Sequence, residues 1–126
     1  MDPAIERVIE YIERYSAATG RLRTRLEAQQ AWNSEDIGRL RAGASLSESV
    51  KATRSADRRR DLTRIMDDFE TSRREIRAAV VAAALAEGMT ITEIADIFGV
   101  SRQLANRFVR DAHSLGFFAE VTEAPG

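Results

Sequence analysis

Residues 90–110, TITEIADIFGVSRQLANRFVR, decide the fold that we predict for this chain of 126 residues. Thr90 and Glu93 have the spacing of a capping box, in which side chains and backbone satisfy each other's free groups at the start of a helix. Apolar residues then recur at the helical period: Ile91, Ile94, Ala95 and Phe98. Gly99 ends this helix, because glycine adopts the left-handed backbone conformation without steric penalty, and Ser101 caps a second helix. The segment therefore predicts a helix, a tight turn and another helix.

This arrangement resembles the helix-turn-helix superfamily, which includes phage repressors, the DNA-binding domains of resolvases and the promoter-reading helices of sigma factors. The resemblance covers about a quarter of the chain. Ala95 stands where the superfamily has a small residue between the helices, and Gly99 stands at the turn. Val100 and Phe108 match the apolar positions after the turn. The resemblance implies double-stranded DNA as the partner and a bacterial or phage regulator as the class of protein.

The second helix carries the residues that the resemblance places against DNA bases: Ser101, Arg102, Gln103, Asn106 and Arg107. Their chemistry supports this assignment independently, because arginine pairs with guanine O6 and N7, and asparagine and glutamine pair with adenine. Thr90, Thr92 and Arg110 flank this set and are better suited to phosphates, which position a protein without specifying sequence. The alternative is that this arginine-rich face serves only packing or protein contacts.

One position departs from the superfamily pattern. The buried residue in the middle of the second helix is usually valine or isoleucine, whereas this chain has Ala105, preceded by the larger Leu104. Two interpretations stay open. Either Leu104 rotates into the core, or it stays exposed toward DNA, where it can contact a thymine methyl group.

Charge and composition restrict the function further. With 19 basic and 20 acidic side chains the net charge is −1, so site-specific binding fits better than general coating of DNA. The chain has no cysteine and one histidine, which excludes disulfides, thiolate sites and the common zinc motifs, and we expect no metal and no cofactor. The longest apolar run, residues 78–86, is too short to span a bilayer, and the acidic N-terminal residues do not suit a signal peptide. We therefore expect a cytoplasmic protein without membrane association.

Two long helical patterns precede the helix-turn-helix segment. The first has Pro3 in its first turn, keeps its apolar spacing across Gly20, and predicts a continuous helix over residues 3–31. The second leads from Leu62 to a stop at Gly88. Their apolar seams supply the candidate dimer contacts: Ile5, Val8, Ile12, Tyr15, Leu22, Leu26, Leu62, Met66 and Phe69. Either the seams pack within one chain as a helical bundle, or they hold two copies together in a coiled-coil-like dimer.

The segment between the two patterns gives weaker signals. Residues 33–54 are predicted to form a connector with a short helix over residues 34–41, broken by Gly43. Ser47 is the predicted cap of the next helical segment. Trp32, which precedes the connector, is interpreted as a packing anchor rather than a ligand-binding aromatic residue.

Two further segments carry alternative interpretations. Residues 58–60 are three arginines, which form either a solvated face or contacts to DNA phosphates. Residues 117–121 suit a short strand packed against the helices, with a rudimentary wing or a partner-docking patch as the alternative. Residues 122–126 are predicted to be disordered.

Together these patterns predict an all-α protein with a helical dimerisation region in residues 1–73 and a tri-helical DNA-binding region in residues 74–121. The predicted function is sequence-specific transcriptional regulation by a homodimer that reads an inverted repeat with the helix over residues 102–113. No enzymatic activity is expected. The alternatives are a plasmid-partition or nucleoid-associated protein, or an adaptor whose helical region docks on RNA polymerase or a sigma factor.

Overall fold

The computed structural model describes residues 1–118, and this part of the chain consists of five helices joined by short turns. In chain order they are α1 (Pro3–Arg41), α2 (Leu46–Thr53), α3 (Ser55–Ala86), α4 (Ile91–Phe98) and α5 (Arg102–Ser114). No strand occurs in the described residues. The all-α prediction, with long helices first and a tri-helical helix-turn-helix unit at the C-terminal side, is confirmed.

Helix α1 begins where the sequence predicts but ends later. Asp2 Oδ1 accepts a hydrogen bond from the Ala4 backbone N–H at 2.9 Å and so caps the first turn. The predicted end at residue 31 is wrong, because α1 continues to Arg41 and absorbs the short helix predicted over residues 34–41. Two hydrogen bonds from side chains bridge the predicted break, Gln29 Nε2 to Asn33 Oδ1 at 2.7 Å and Ser34 Oγ to the Gln30 carbonyl oxygen at 3.2 Å. The side chains of these polar residues, whose types favour a connector, are therefore hydrogen-bonded within the helix.

Helix α2 lies inside the predicted connector and has its own cap. Ser45 Oγ accepts a hydrogen bond from the Glu48 backbone N–H at 3.1 Å, and Glu48 Oε2 accepts one from the Ser45 N–H at 3.4 Å. The prediction of Ser47 as the cap is wrong, since Ser47 lies in the first turn and only Ser45 has a glutamate three residues later. Arg54 ends α2 in the left-handed conformation, at φ 52° and ψ 46°.

The chain divides into two compact units. The terminal unit consists of Met1–Tyr15 and the residues from Thr71 onward, and the central unit consists of Ser16–Glu70. The boundary that the sequence suggested between residues 73 and 74 stays a prediction.

The terminal unit has an apolar interior made of two clusters. The first joins α3 to α5 and the residues after it: Ala78, Ala79, Ala112 and Phe117, with Val8, Tyr11, Ala82 and Phe118 packed against them. The second joins α3, α4 and α5 through Val81, Ile94, Ala95 and Ala105, with Phe98 and Phe108 among the side chains around them. Alanines on the facing sides let these helices approach closely, so the interior is filled by few large side chains.

Phe117 and Phe118 do not form the predicted extended segment. Gly116, at φ 82°, turns the chain back directly after α5, and the Phe117 N–H donates to the Ala112 carbonyl oxygen at 3.0 Å. The Phe117 ring is buried with its centroid 5.2 Å from that of Tyr11. Burial of this ring explains the turn, because an extended chain would carry it away from the helices. The rest of the predicted strand, and the predicted disordered tail, lie outside the described residues.

The central unit has a polar interior centred on Arg25, which is 5% exposed. Its Nε donates to Asp61 Oδ2, its Nη1 to Gln29 Oε1 and its Nη2 to the Arg58 carbonyl oxygen, each at 3.0 Å. Trp32 is half-buried, with the guanidinium carbons of Arg25 and Arg58 at 4.5 and 4.0 Å from its ring centroid. Trp32 therefore packs against arginines, and one of the three consecutive arginines is held by it.

Candidate DNA-binding site

The turn between α4 and α5 is built as the sequence predicts. The Thr90 hydroxyl oxygen accepts from the Glu93 N–H at 3.1 Å, and Glu93 Oε1 accepts from the Thr90 N–H at 3.2 Å, which completes the capping box. Gly99 is left-handed at φ 65° and ψ 38°, and Ser101 Oγ accepts from the Leu104 N–H at 3.0 Å. Local hydrogen bonds thus cap both helix ends at the turn, so the direction of α5 is fixed locally.

Packing between α4 and α5 fixes the inner side of α5. Ala105 is fully buried and occupies the central position of the second helix, against Ala95 and Ile94. The Phe98 and Phe108 rings meet edge to face, with centroids 5.5 Å apart. Leu104 is half-buried, so it is neither fully rotated into the core nor fully exposed toward DNA, the two interpretations that the sequence left open.

Two arginines of α3 hold α5 from its inner side through Asp111, the single acidic residue of α5. Arg74 Nε lies 2.9 and 2.8 Å from the two carboxylate oxygens of Asp111, and Arg74 Nη2 also donates to it. Arg77 Nη2 lies 3.7 Å from Asp111 Oδ2, and its guanidinium carbon lies 4.3 Å from the Phe108 ring centroid. The sequence analysis did not identify these positioning residues, although a lone acid in a basic helix was the available signal.

This contact changes the acid–base properties of both partners. The hydrogen bond from Arg74 is the main cause that lowers the pKa of Asp111 below its ordinary value, against the opposing effect of burial. The same bond is the main cause that raises the pKa of Arg74. Asp111 is therefore ionised at neutral pH and attached to α3, which leaves the outer side of α5 free of acidic side chains.

The outer side of α5 carries the predicted base-reading residues, and all of them are exposed: Arg102, Gln103, Asn106 and Arg107, with Arg110 one turn further along. Their spacing places them on one side of the helix. Within residues 1–118, their side chains form no hydrogen bond and no ion pair. Arg74 and Arg77, in contrast, are both committed to Asp111. The structure therefore brings the predicted set together as one basic, unpaired surface, which we call the α5 outer face.

The predicted phosphate-contacting residues differ in their surroundings. Thr90 and Thr92 are exposed at the N-terminal end of α4, and Ser101, which is predicted to contact a base, is exposed at the N-terminal end of α5. The Thr90 hydroxyl already donates to Glu93 Oε1 at 3.0 Å, so the capping box uses the proton that a phosphate contact would need. The Ser101 oxygen accepts a hydrogen bond from Leu104, which leaves its hydroxyl proton available. Exposed Glu93 and Asp96 on α4 confine the positive charge to α5.

The predicted dimer contacts divide into two groups. Six of them are half-buried: Ile5, Val8, Tyr15, Leu22, Leu62 and Phe69. Three remain largely open, with Ile12 at 50%, Leu26 at 48% and Met66 at 50% exposed. Val8 packs against the first cluster of the terminal unit, so part of the first seam serves the fold of the single chain. Their role as dimer contacts stays a prediction.

Metal-binding clusters and membrane-spanning helices are both absent from the described residues. Within residues 1–118, no group of three or more histidine, aspartate or glutamate side chains is placed to hold a metal ion. Of the helices in this part of the chain, none combines the length and the apolar character that crossing a membrane requires.

Comparison with known proteins agrees with this geometry. Residues 71–116 match the sequence profile of a family described as a homeodomain-like domain. The matched range covers the C-terminal half of α3 and the whole of α4 and α5. No curated protein and no solved structure matches the chain.

Proposed function

Because residues 71–116 form a helix-turn-helix domain of the homeodomain-like class, which indicates DNA binding, we propose that this protein is a sequence-specific transcriptional regulator. The proposal rests on the α5 outer face. Arginine side chains without a partner in a single chain are available for a ligand, and a helix of this width fits the major groove of B-DNA.

The side chains of the α5 outer face have distinct roles in the proposal. Arg102 and Arg107 each present a planar donor fork for guanine, and Gln103 and Asn106 present a donor and an acceptor for adenine. Arg110 and Thr92 contact phosphates and set the register of α5 along the duplex, and Ser101 keeps its predicted base contact. The free N–H groups at the start of α5 favour an anion there, and its first turn contains no acidic residue to oppose one.

We further propose that two copies act together on an inverted repeat. One α5 contacts few base pairs, and the net charge of −1 gives little general attraction to DNA, so a second α5 is needed for a selective site. The open seam residues Ile12, Leu26 and Met66 support a contact between copies. The regulator would work in the cytoplasm of a bacterium, where contact with RNA polymerase or a sigma factor is a further proposed step.

Selection of bound duplexes from a random pool, with the full chain, tests this function. We expect an inverted repeat with half-sites one helical turn, about 34 Å, apart. Asn106→Ala and Arg107→Ala should each reduce discrimination at one base pair by about 1–3 kcal/mol and leave helical content unchanged. Arg23→Ala is the control, because Arg23 is an exposed arginine of the central unit, with its side chain 81% exposed.

Each other outcome of the selection contradicts a defined part of the proposal. A pool without an enriched sequence would remove sequence-specific regulation and favour an adaptor. Enrichment of many unrelated sites would favour a nucleoid-associated or plasmid-partition protein. A single asymmetric half-site would leave the reading role of α5 intact and remove the symmetric operator. If both α5 variants select the wild-type site with unchanged affinity, α5 is not the reading helix.

A further inference from the structure

One acidic residue stands next to the proposed reading residues of α5. Asp111 is the single acid of this helix and follows Arg107 by four positions. Residues four apart are neighbours on the surface of a helix, so an arginine and an aspartate at this spacing can form an ion pair. Arg102 and Arg110 do not stand at this spacing from Asp111. Arg107 is therefore the arginine of the α5 outer face for which Asp111 is a competing partner.

The chain forms a pair of this kind in α1. Arg23 Nε lies 3.1 Å from Glu27 Oε1, between residues four apart and with the arginine first, which is also the order of Arg107 and Asp111. Within residues 1–118, however, the Arg107 side chain forms no hydrogen bond and no ion pair. Spacing alone thus does not explain why Arg107 and Asp111 remain apart.

The explanation is that α3 already occupies the Asp111 carboxylate. Arg74 Nε lies 2.9 and 2.8 Å from its two oxygens, and Arg77 Nη2 lies 3.7 Å from Oδ2. Two guanidinium groups and one carboxylate together carry one positive charge, so this cluster repels the Arg107 guanidinium rather than attracting it. Hydrogen bonds and charge both make Asp111 a poor partner for Arg107.

Loss of Arg74 would reverse this situation. Arg77 lies beyond hydrogen-bond distance of Asp111, and its guanidinium carbon lies 4.3 Å from the Phe108 ring centroid, so both carboxylate oxygens would be open to a new donor. Arg107 is one helical turn away and can supply that donor. An arginine that is paired with Asp111 must break this pair before it reaches a base, which lowers its apparent affinity for the base.

We propose that Arg74 is a positioning residue for base recognition, which acts by keeping the Asp111 carboxylate away from Arg107. The inference rests on the proposed function, in which Arg107 reads a base, and it assigns to that site a residue of α3 that acts without contacting a base. It goes beyond the attachment of α5 to α3, because a purely mechanical attachment does not depend on Arg107.

Binding of the full chain to the duplex that the wild type selects tests this inference. The measured quantity is the ratio of the affinities for that duplex and for the same duplex altered at the base pair where Arg107→Ala reduces discrimination, so that general effects of charge cancel. Arg74→Gln should reduce this ratio about two- to fivefold, which is the range that exposed ion pairs span. The Arg74 side chain is 50% exposed, so its replacement should leave the fold intact. Arg23→Gln is the matched control, because it removes an arginine that pairs with an acid in the central unit, and it should leave the ratio unchanged.

A double variant separates this role from a structural one. In Arg74→Gln, Asp111→Asn no carboxylate remains to hold Arg107, so the ratio should return close to the wild-type value. If the ion pair only holds α5 in place, the double variant should discriminate as poorly as Arg74→Gln, since it lacks the same pair, and the inference is overturned. An unchanged ratio for Arg74→Gln would also overturn it, and an affinity that then falls equally for all duplexes would assign Arg74 to a phosphate contact.

A measurement without DNA distinguishes failure of this inference from failure of the proposed function. The pKa of the Asp111 carboxyl, followed by NMR of its carboxyl carbon, depends on which cations hold it. Arg107→Gln should raise this pKa more in the Arg74→Gln variant than in the wild type, because Arg107 replaces Arg74 as the partner there. If no DNA sequence is selected but this difference is found, the competition for Asp111 stands and the proposed function fails. If a sequence is selected but the two rises in pKa are equal, the inference fails and the reading role of α5 stands.

Discussion

The terminal and central units are built from the same kind of element and stabilised in opposite ways. The terminal unit buries Val81, Ile94 and Phe117 among alanines, so its helices are held by apolar contact. The central unit buries the charged Arg25 but no large apolar side chain; Leu22 and Leu62 are half-buried, and Leu26 and Met66 are about half exposed. The difference shows that helix length and apolar spacing do not determine how a helical unit is held together. What matters is whether the apolar positions of neighbouring helices face each other.

The two units should also differ in how substitutions affect their stability, because one has a buried arginine and the other an apolar interior. All three nitrogen positions of the Arg25 guanidinium have acceptors at 3.0 Å, so its charge is compensated inside the central unit. Such a network is sensitive to geometry, because a charge left without its partner is expensive to bury. An apolar cluster depends on volume instead, since a removed side chain leaves a cavity. The two units should therefore respond to different kinds of substitution.

The largest effect is expected in the apolar interior of the terminal unit. Ile94→Ala should lower the free energy of unfolding by about 2–5 kcal/mol, because Ile94 is 1% exposed and its loss leaves a cavity beside Ala95 and Ala105. Ile97→Ala, in the same helix but 62% exposed, should change it by less than about 0.5 kcal/mol. Urea denaturation followed by circular dichroism measures both. Equal effects of the two variants would refute the description of this interior.

An intermediate effect, of opposite sign in the two units, is expected at two glycines. Gly99→Ala should destabilise the terminal unit by about 1–2 kcal/mol, because a Cβ is disfavoured at φ 65° even where nothing lies within 4 Å of it. Gly20→Ala should stabilise the central unit by about 0.5–1 kcal/mol, because Gly20 lies inside α1 with open space around its Cα. Thermal unfolding of the two variants side by side checks the signs. A stabilising Gly99→Ala would contradict the turn geometry.

The smallest effect is expected at the ion pair that holds α5. The folded-state pKa of Asp111 lies below its unfolded value, so the carboxylate adds stability above the unfolded pKa and loses it as the pH falls through the folded pKa. Asp111→Asn should therefore lower the melting temperature slightly at pH 7, and this difference from the wild type should shrink as the pH falls through the lowered pKa of Asp111. Asp96→Asn, at an exposed carboxyl of α4, is the control. If the melting temperatures of Asp111→Asn and the wild type differ by the same amount at acidic pH as at pH 7, the charge of Asp111 is not the cause of the difference.

The sequence predicted the local features of the helix-turn-helix segment because each of them is determined by adjacent residues. The capping box at Thr90, the left-handed Gly99 and the cap at Ser101 all form within four residues in sequence. The α5 outer face followed from helical spacing alone. The attachment of Asp111 to Arg74 was not predicted, because the two residues are 37 positions apart and spacing does not show which helix faces are in contact.

The errors in the first half of the chain have a common physical cause. The predicted connector begins at Asn33, with Ser34 as the start of a separate short helix, and asparagine and serine compete for backbone hydrogen bonds in isolated helices. In the structure their side chains bond to residues four positions earlier, Gln29 and Gln30, so α1 continues.

Trp32 provides a way to observe one unit separately from the other. It is the single tryptophan of the chain and lies in the central unit, with two guanidinium groups against its ring. Indole fluorescence therefore reports on the surroundings of the Arg25 network, whereas far-ultraviolet dichroism averages over all five helices. Denaturation curves that coincide by both signals would indicate a single cooperative transition. Curves that separate would give each unit its own stability in one experiment, without a truncated chain or an added label.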